Sequence, residues 1–319
     1  MGGFFNRLYY GKAGKADFTQ DDLPSNRFQL FWEVLRVRFW SLFRVNLMQI
    51  VFWIPMIVWT YMNIVAIQTI DVETISQAAD GALQLQAQLM GIFQMYLIGL
   101  IPCIAITGPS SAAAAYITRN WARDQHSFVW SDFKDAFKEN WKQGLAVSTI
   151  TGLVPFIAYL GVTFYGEMAK QIPVLVVAQV LVVLICLTWT LMVPLLYPLM
   201  VGYQLRMRDL LRNGVLLTVG RLPQMLGVRL LTAIPLFLLL LGVYTFNIYL
   251  LLGMALYYIL FGHAFARLVY ASVANSFFDK FINPRIEGAE VNRGLRRDDD
   301  EDDEDEDEDG QSALPGGRE

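Results

Sequence analysis

Histidine and cysteine are nearly absent from this chain of 319 residues, with two of each. His126 and His263 lie far apart and have no cluster of carboxylates beside them, so they compose neither a zinc site nor a hydrolytic triad. Cys103 and Cys186 fall inside apolar stretches. They offer no disulfide framework and read as two small buried hydrophobes. No loop carries the Gly-Lys-Ser/Thr pattern that cradles a nucleotide phosphate. No enzyme, cofactor, metal centre or nucleic-acid partner is expected from these absences.

The more telling absence is charge. Residues 45–70, 81–118, 143–166, 171–205 and 230–266 contain no Asp, Glu, Lys or Arg. At ~1.5 Å per helical residue, each stretch is long enough to cross a hydrocarbon core of ~30 Å. Mean hydropathy is +0.39, despite a run of twelve consecutive acids at 298–309 that pulls it down. Outside that run, 17 acids face 25 bases, so the net charge of −4 describes a basic membrane body with an acidic appendage.

What is present between the apolar stretches fixes a topology. Lys and Arg number seven through residue 44, five in 119–142, five in 206–229 and seven from 267 onward, whereas 71–80 has none and 167–170 has one. Six crossings satisfy this alternation if 230–266 is a hairpin, with Asn247, Tyr244 and Thr245 as its turn. The expected fold is therefore all-α: a polytopic helical membrane protein with six transmembrane helices, both termini cytoplasmic, interfacial amphipathic helices and a disordered acidic tail. It divides into an interfacial segment 1–44, a transmembrane domain 45–280 and a tail 281–319. The first span is expected to act as the insertion signal.

Aromatic residues at three- and four-residue spacing over 26–43 predict an amphipathic helix leading into a first span at 47–66. Residues 68–88 read as an outer helix, and a second span at 89–106 breaks at Gly108-Pro109. Later spans are expected at 145–165, 174–197, 225–243 and 248–267. Two basic segments separate them. In 131–143, Phe133, Phe137 and Trp141 repeat every four residues beside Lys134, Lys138 and Lys142, with Asn140 between. In 204–223, Arg208, Asp209, Arg212 and Asn213 echo that pattern, which hints at a parallel repeat. Such faces suit a helix lying on the lipid surface, and they suit a docking partner too; the lipid surface is the simpler reading.

No charge falls within the five apolar stretches, which disfavours a proton relay and leaves open a solute site lined by Asn, Gln, Ser, Thr and backbone carbonyls. His263, near the inner end of the last span, reads as an interfacial histidine. Gly108, Pro109, Ser110 and Ser111 superficially suggest an intramembrane nucleophile. Yet no span supplies a base, and helix initiation with close packing through small residues explains them better. The acidic run lacks the alternating pattern of a calcium loop and reads as a solvated tail.

Several segments together resemble the YesL-like family of bacterial integral membrane proteins. They are Gly3-Phe4-Phe5-Asn6 with Gly14-Lys15, Thr107-Gly108-Pro109-Ser110 with its alanine run, Phe133, Phe137 and Asn140 with Lys142-Gln143, the segment from Arg208 to Asn213, and Asn275 through Phe281. The similarity spans about residues 3–282. It implies a plasma-membrane protein of unknown function, accessory to carbohydrate uptake by an ATP-driven transporter, and brings no catalytic residues. The alternative is a transport subunit in its own right, in which 131–143 and 204–223 are coupling helices.

Overall fold

The computed structural model describes residues 23–77 and 80–296; the acidic run at 298–309 and the N-terminal Gly-Phe-Phe-Asn segment lie outside these. Among the described residues there is no strand. Six helices are long and apolar enough to cross a membrane: Phe39–Gln68, Gly81–Ala105, Val129–Ala169, Pro173–Tyr203, Leu222–Tyr244 and Ile248–Arg285. The fold is thus the expected all-α membrane bundle. Its surface carries a belt of exposed Leu, Ile, Val and Phe side chains along these helices, as a hydrocarbon solvent demands.

Helix α1 (Arg27–Val37) is capped by Asn26, whose side chain accepts the Gln29 N–H at 2.9 Å. It buries Leu30 and Val34 and exposes Phe28 and Trp32, as an amphipathic interfacial helix should. The chain breaks at Arg38, earlier than periodicity suggests, and α2 (Phe39–Gln68) already begins the first span. The outer connection also differs from expectation. Instead of one helix over 68–88 there is a short α3 (Val72–Ser76), and residues 81–88 belong to α4 (Gly81–Ala105). Gln84, Gln86 and Gln88 are good helix formers without charge, so the span helix simply extends through them. Asp71 caps α3 by accepting the N–H of Thr74 at 3.0 Å and its hydroxyl at 2.6 Å, which holds the Asp71 carboxyl below its ordinary pKa.

Helix α5 (Thr107–Trp121) restarts one residue after α4, with Pro109 in its first turn, where no intrahelical N–H is lost. It is the buried centre of the molecule: Ala112, Ala113 and Ala114 are fully buried. One side of α5 joins a core formed with α7 (Val176–Tyr203), α8 (Met207–Gly220) and α11 (His263–Phe281), around Leu196, Leu199, Leu210 and Phe278. The other side joins Leu30, Leu42, Val45 and Phe133 of α1, α2 and α6 (Val129–Ala169).

The segment 131–143 is not a separate surface helix. It is the first part of α6, whose 41 residues make a rod about 60 Å long, roughly twice the hydrocarbon thickness. By contrast, 204–223 contains a discrete helix, α8, broken from α9 (Leu222–Tyr244) at Arg221 (φ −130°, ψ 35°). The two sequence echoes therefore have different structures. The last apolar stretch is the expected hairpin: α9 turns at 245–247 into α10 (Ile248–Tyr257), with the Asn247 side chain capping the Leu250 N–H at 3.1 Å. A π turn (Tyr258–Gly262) then leads into α11.

Both described ends meet at one end of the bundle, where the Arg296 N–H donates to the Pro24 carbonyl at 3.0 Å. Asp279 of α11 pairs there with Arg27, lies 3.7 Å from Arg123 and accepts from the Asn283 amide. Burial lowers the Arg27 pKa, and Asp279 opposes that shift. The chain stays docked beyond residue 280: Arg27 also donates to the Arg293 carbonyl at 3.1 Å, and Arg123 donates to that of Glu290 at 3.0 Å.

Candidate functional site

The most irregular backbone among the spans is the π turn at Tyr258–Gly262, and one side chain from α2 satisfies it. Asn46 donates to the carbonyls of Tyr258 (2.9 Å) and Ile259 (2.7 Å), and accepts the N–H groups of His263 (2.9 Å) and Ala264 (3.0 Å). Both donors and both acceptor positions of the amide are used, so the network itself fixes its orientation. In a span, backbone groups released from the helical ladder need such a partner. π-bulges of this kind occur often at functional sites.

Beside the bulge lies a cavity of about 200 Å³. Gln49 and Trp53 of α2 face it, with Ser111 of α5, Ser148 and Thr151 of α6, and Tyr197 of α7. Arg229 and Thr232 of α9 close one side; Tyr257, Tyr258, His263, Arg267 and Tyr270 of the last span close another. His263 stacks on Trp53, with ring centroids 4.4 Å apart. The Arg267 guanidinium lies 4.5 Å from the centre of the Tyr197 ring, a cation–π contact. Arg229 donates to the Tyr270 hydroxyl at 3.1 Å, which donates in turn to Thr232 at 2.9 Å.

Two features make the cavity chemically unbalanced. No Asp or Glu lines it, although two arginines do. Gln49 Oε1 and Trp53 Nε1 are buried without a hydrogen-bond partner. A buried polar atom left unpaired costs roughly 1–3 kcal/mol, and a buried unpaired charge costs more. The lining residues thus include aromatic rings, two cations, and an indole donor and an amide acceptor that lack partners. That is equipment for holding a small polar molecule.

The residues singled out from sequence fall into three places. Gly108, Pro109, Ser110 and Ser111 are all buried in the first turns of α5. A Cβ at Gly108 would sit 2.0 Å from the Gly144 carbonyl oxygen, so this glycine sets the closest approach of α5 to α6. Ser110 donates back to the Thr107 carbonyl at 2.8 Å, while Ser111 reaches the cavity wall. In α6, Phe133 is buried, Phe137 packs on Phe52 with centroids 5.4 Å apart, and Asn140 donates to its own helix at Ala136. Lys134, Lys138 and Trp141 are exposed, the last with the Lys142 ammonium 5.6 Å from its ring. In α8, Arg208, Asp209 and Arg212 are exposed and Asn213 is half-buried, opposite the buried Leu210, Gly214, Leu217 and Thr218.

Sequence reasoning missed Asn46, Gln49, Trp53, Tyr197, Arg229 and Arg267. The two arginines stand at the ends of an apolar stretch and were counted among the bases flanking the spans. The hairpin of α9 with α10 and α11 brings both onto one cavity. An available signal was the density of polar residues at helical spacing in α2, with Asn46, Gln49 and Trp53 on one face.

The fold and its belt define a polytopic helical membrane protein. In comparison with protein families, residues 85–162 are similar to "Protein of unknown function, DUF624", the group that includes the YesL-like proteins. The match runs from α4 through most of α6 and includes the Gly108-Pro109-Ser110 turn and the Phe133–Trp141 face. No curated protein and no solved structure matches the chain.

Proposed function

We propose that the protein is a multi-pass component of the bacterial plasma membrane that binds a small polar solute in the cavity between its spans and assists carbohydrate uptake by an ATP-driven importer. The observation that carries this reading is the pair of buried, unpartnered atoms, Gln49 Oε1 and Trp53 Nε1, on a cavity with aromatic and hydroxyl walls. A hydroxylated solute satisfies both atoms and stacks on the rings. The basic, terminus-bearing end of the bundle faces the cytoplasm on this reading, in keeping with the positive-inside rule. The exposed Lys134, Lys138 and Trp141 of α6, with Arg208 and Arg212 of α8, then meet either anionic lipid or the importer. No reaction is assigned; the protein is a binding or transport component and not an enzyme.

Equilibrium binding of radiolabelled mono- and oligosaccharides to the full chain in nanodiscs tests the reading. Saturable binding that Trp53→Ala removes supports it, and no saturable binding to the wild type overturns it. A transport unit acting alone is the second reading, favoured by the π turn and by Pro194, Pro198 and Pro235 in the helices around the cavity, which give those walls room to bend. Solute flux into proteoliposomes containing only this chain distinguishes it from an accessory, which shows none.

A further inference from the structure

The uncompensated charge of the cavity says something more specific about its ligand. Arg267 has an aromatic neighbour, Tyr197, and Arg229 has a neutral hydroxyl, that of Tyr270; neither has an acid partner. Elsewhere Asp279 matches both Arg27 and Arg123, while the half-buried Arg119 faces the Tyr203 ring and forms no ion pair among the described residues. What sets Arg229 and Arg267 apart is that two half-buried arginines share one cavity whose lining holds no carboxylate. Arginine is also the side chain whose planar fork suits an oxyanion. Gln49, only 1% exposed, belongs to the lining of the same cavity, and its amide oxygen lacks a partner that a ligand hydroxyl would supply.

The geometry points to an oxyanion site: the cavity takes a small molecule or headgroup that carries a phosphate or carboxylate against Arg267 and Arg229 and a hydroxyl against Gln49. This rests on the solute-binding reading above and narrows its ligand from polar to anionic. The charge reaches the site by one of two routes. A water-soluble anion is one source. The other is a lipid headgroup, because an apolar groove of about 490 Å³ between α1, α9 and α11 shares Thr232, Pro235, Tyr257 and Ala266 with the cavity wall. An acyl chain lying in that groove places its headgroup beside the arginines.

The test uses the full chain in phosphatidylcholine nanodiscs, with the unfolding temperature read by intrinsic fluorescence. The probes are inorganic phosphate against sodium chloride of equal ionic strength, phosphatidylglycerol incorporated into the disc, and glucose. A saturable rise in Tm with phosphate, or a rise with phosphatidylglycerol, supports the site; the first identifies a soluble ligand and the second a lipid. Arg267→Gln and Arg229→Gln should each weaken the response about tenfold or more, whereas Lys170→Gln, which removes an exposed base paired with Glu167 on the connection after α6, leaves it unchanged. Without ligand, Arg267→Gln should melt no lower than the wild type, since it removes an unpaired charge; a lower Tm marks a structural arginine and counts against the site. A flat response to both oxyanion probes, or equal responses in wild type and both variants, overturns the proposal. If glucose alone raises Tm, the anion site fails while solute binding stands; if all three probes are flat, both fail.

Discussion

Asn46 and His263 lie 217 positions apart in sequence, yet the Asn46 side-chain oxygen accepts the His263 backbone N–H at 2.9 Å. This bond, with its three companions, converts a local break in the last span into a fixed feature and sets the wall of the cavity. Asn46→Ala leaves two carbonyls and two N–H groups of the π turn without that partner. An interhelical hydrogen bond in a membrane is worth about 0.5–1.5 kcal/mol, so the loss should be about 2–4 kcal/mol. Asn63→Ala is the control, because that amide bonds only to its own helix at Trp59. Unfolding in detergent should separate the two variants clearly, and equal stability would remove Asn46 from its assigned place.

The contact of α5 with α6 gives a second prediction. Gly108→Ala forces a methyl to within 2.0 Å of the Gly144 carbonyl oxygen and 2.1 Å of the Ser148 hydroxyl. Overpacking of this kind costs about 1–3 kcal/mol, and here the obstacle is backbone, which yields little. Gly227→Ala in α9 meets nothing within 4 Å and should stabilise by about 0.5–1 kcal/mol through helix propensity alone. Thermal unfolding of the two variants should move in opposite directions.

Arg27 and Asp279 join the first and last described helices, with Asp279 almost fully buried. Breaking such a pair from either side strands a charge, at a cost of about 3–5 kcal/mol. Arg27→Gln and Asp279→Asn together should therefore cost less than the sum of the two single changes. A double-mutant cycle from denaturant unfolding measures this; simple additivity would mean that the two residues act independently.

Orientation is open to direct chemistry. With Cys103 and Cys186 replaced by Ala, a single cysteine at Asn247 in the α9–α10 turn should react with an impermeant maleimide added outside intact cells. One at Asp124, between α5 and α6, should react only after lysis. The reverse pattern would place the basic end outside and contradict the cytoplasmic assignment.

The spans were legible because hydropathy alone decides which segments enter a bilayer, and the hairpin was legible because the alternation of basic segments requires two crossings within 230–266, with Asn247 at the turn. The buried α5 was also signalled, by Gly108-Pro109 followed by small residues. The position of α3 and the continuity of α6 were not, since uncharged glutamines and an amphipathic face are equally compatible with separate surface helices. The cavity was hidden for another reason. Arg229 and Arg267 look like ordinary flanking bases until tertiary folding turns both inward, and Asn46 looks like one polar residue in a span until the π turn it satisfies is seen.

The most direct measurement is a high-resolution cryo-EM map of the full chain purified gently from its native membrane. It should show density that is not protein within hydrogen-bond distance of the Arg267 guanidinium and the Gln49 amide. A map in which Arg267 instead pairs with a carboxylate of the chain itself, with Gln49 and Trp53 satisfied by protein atoms, would contradict the oxyanion site.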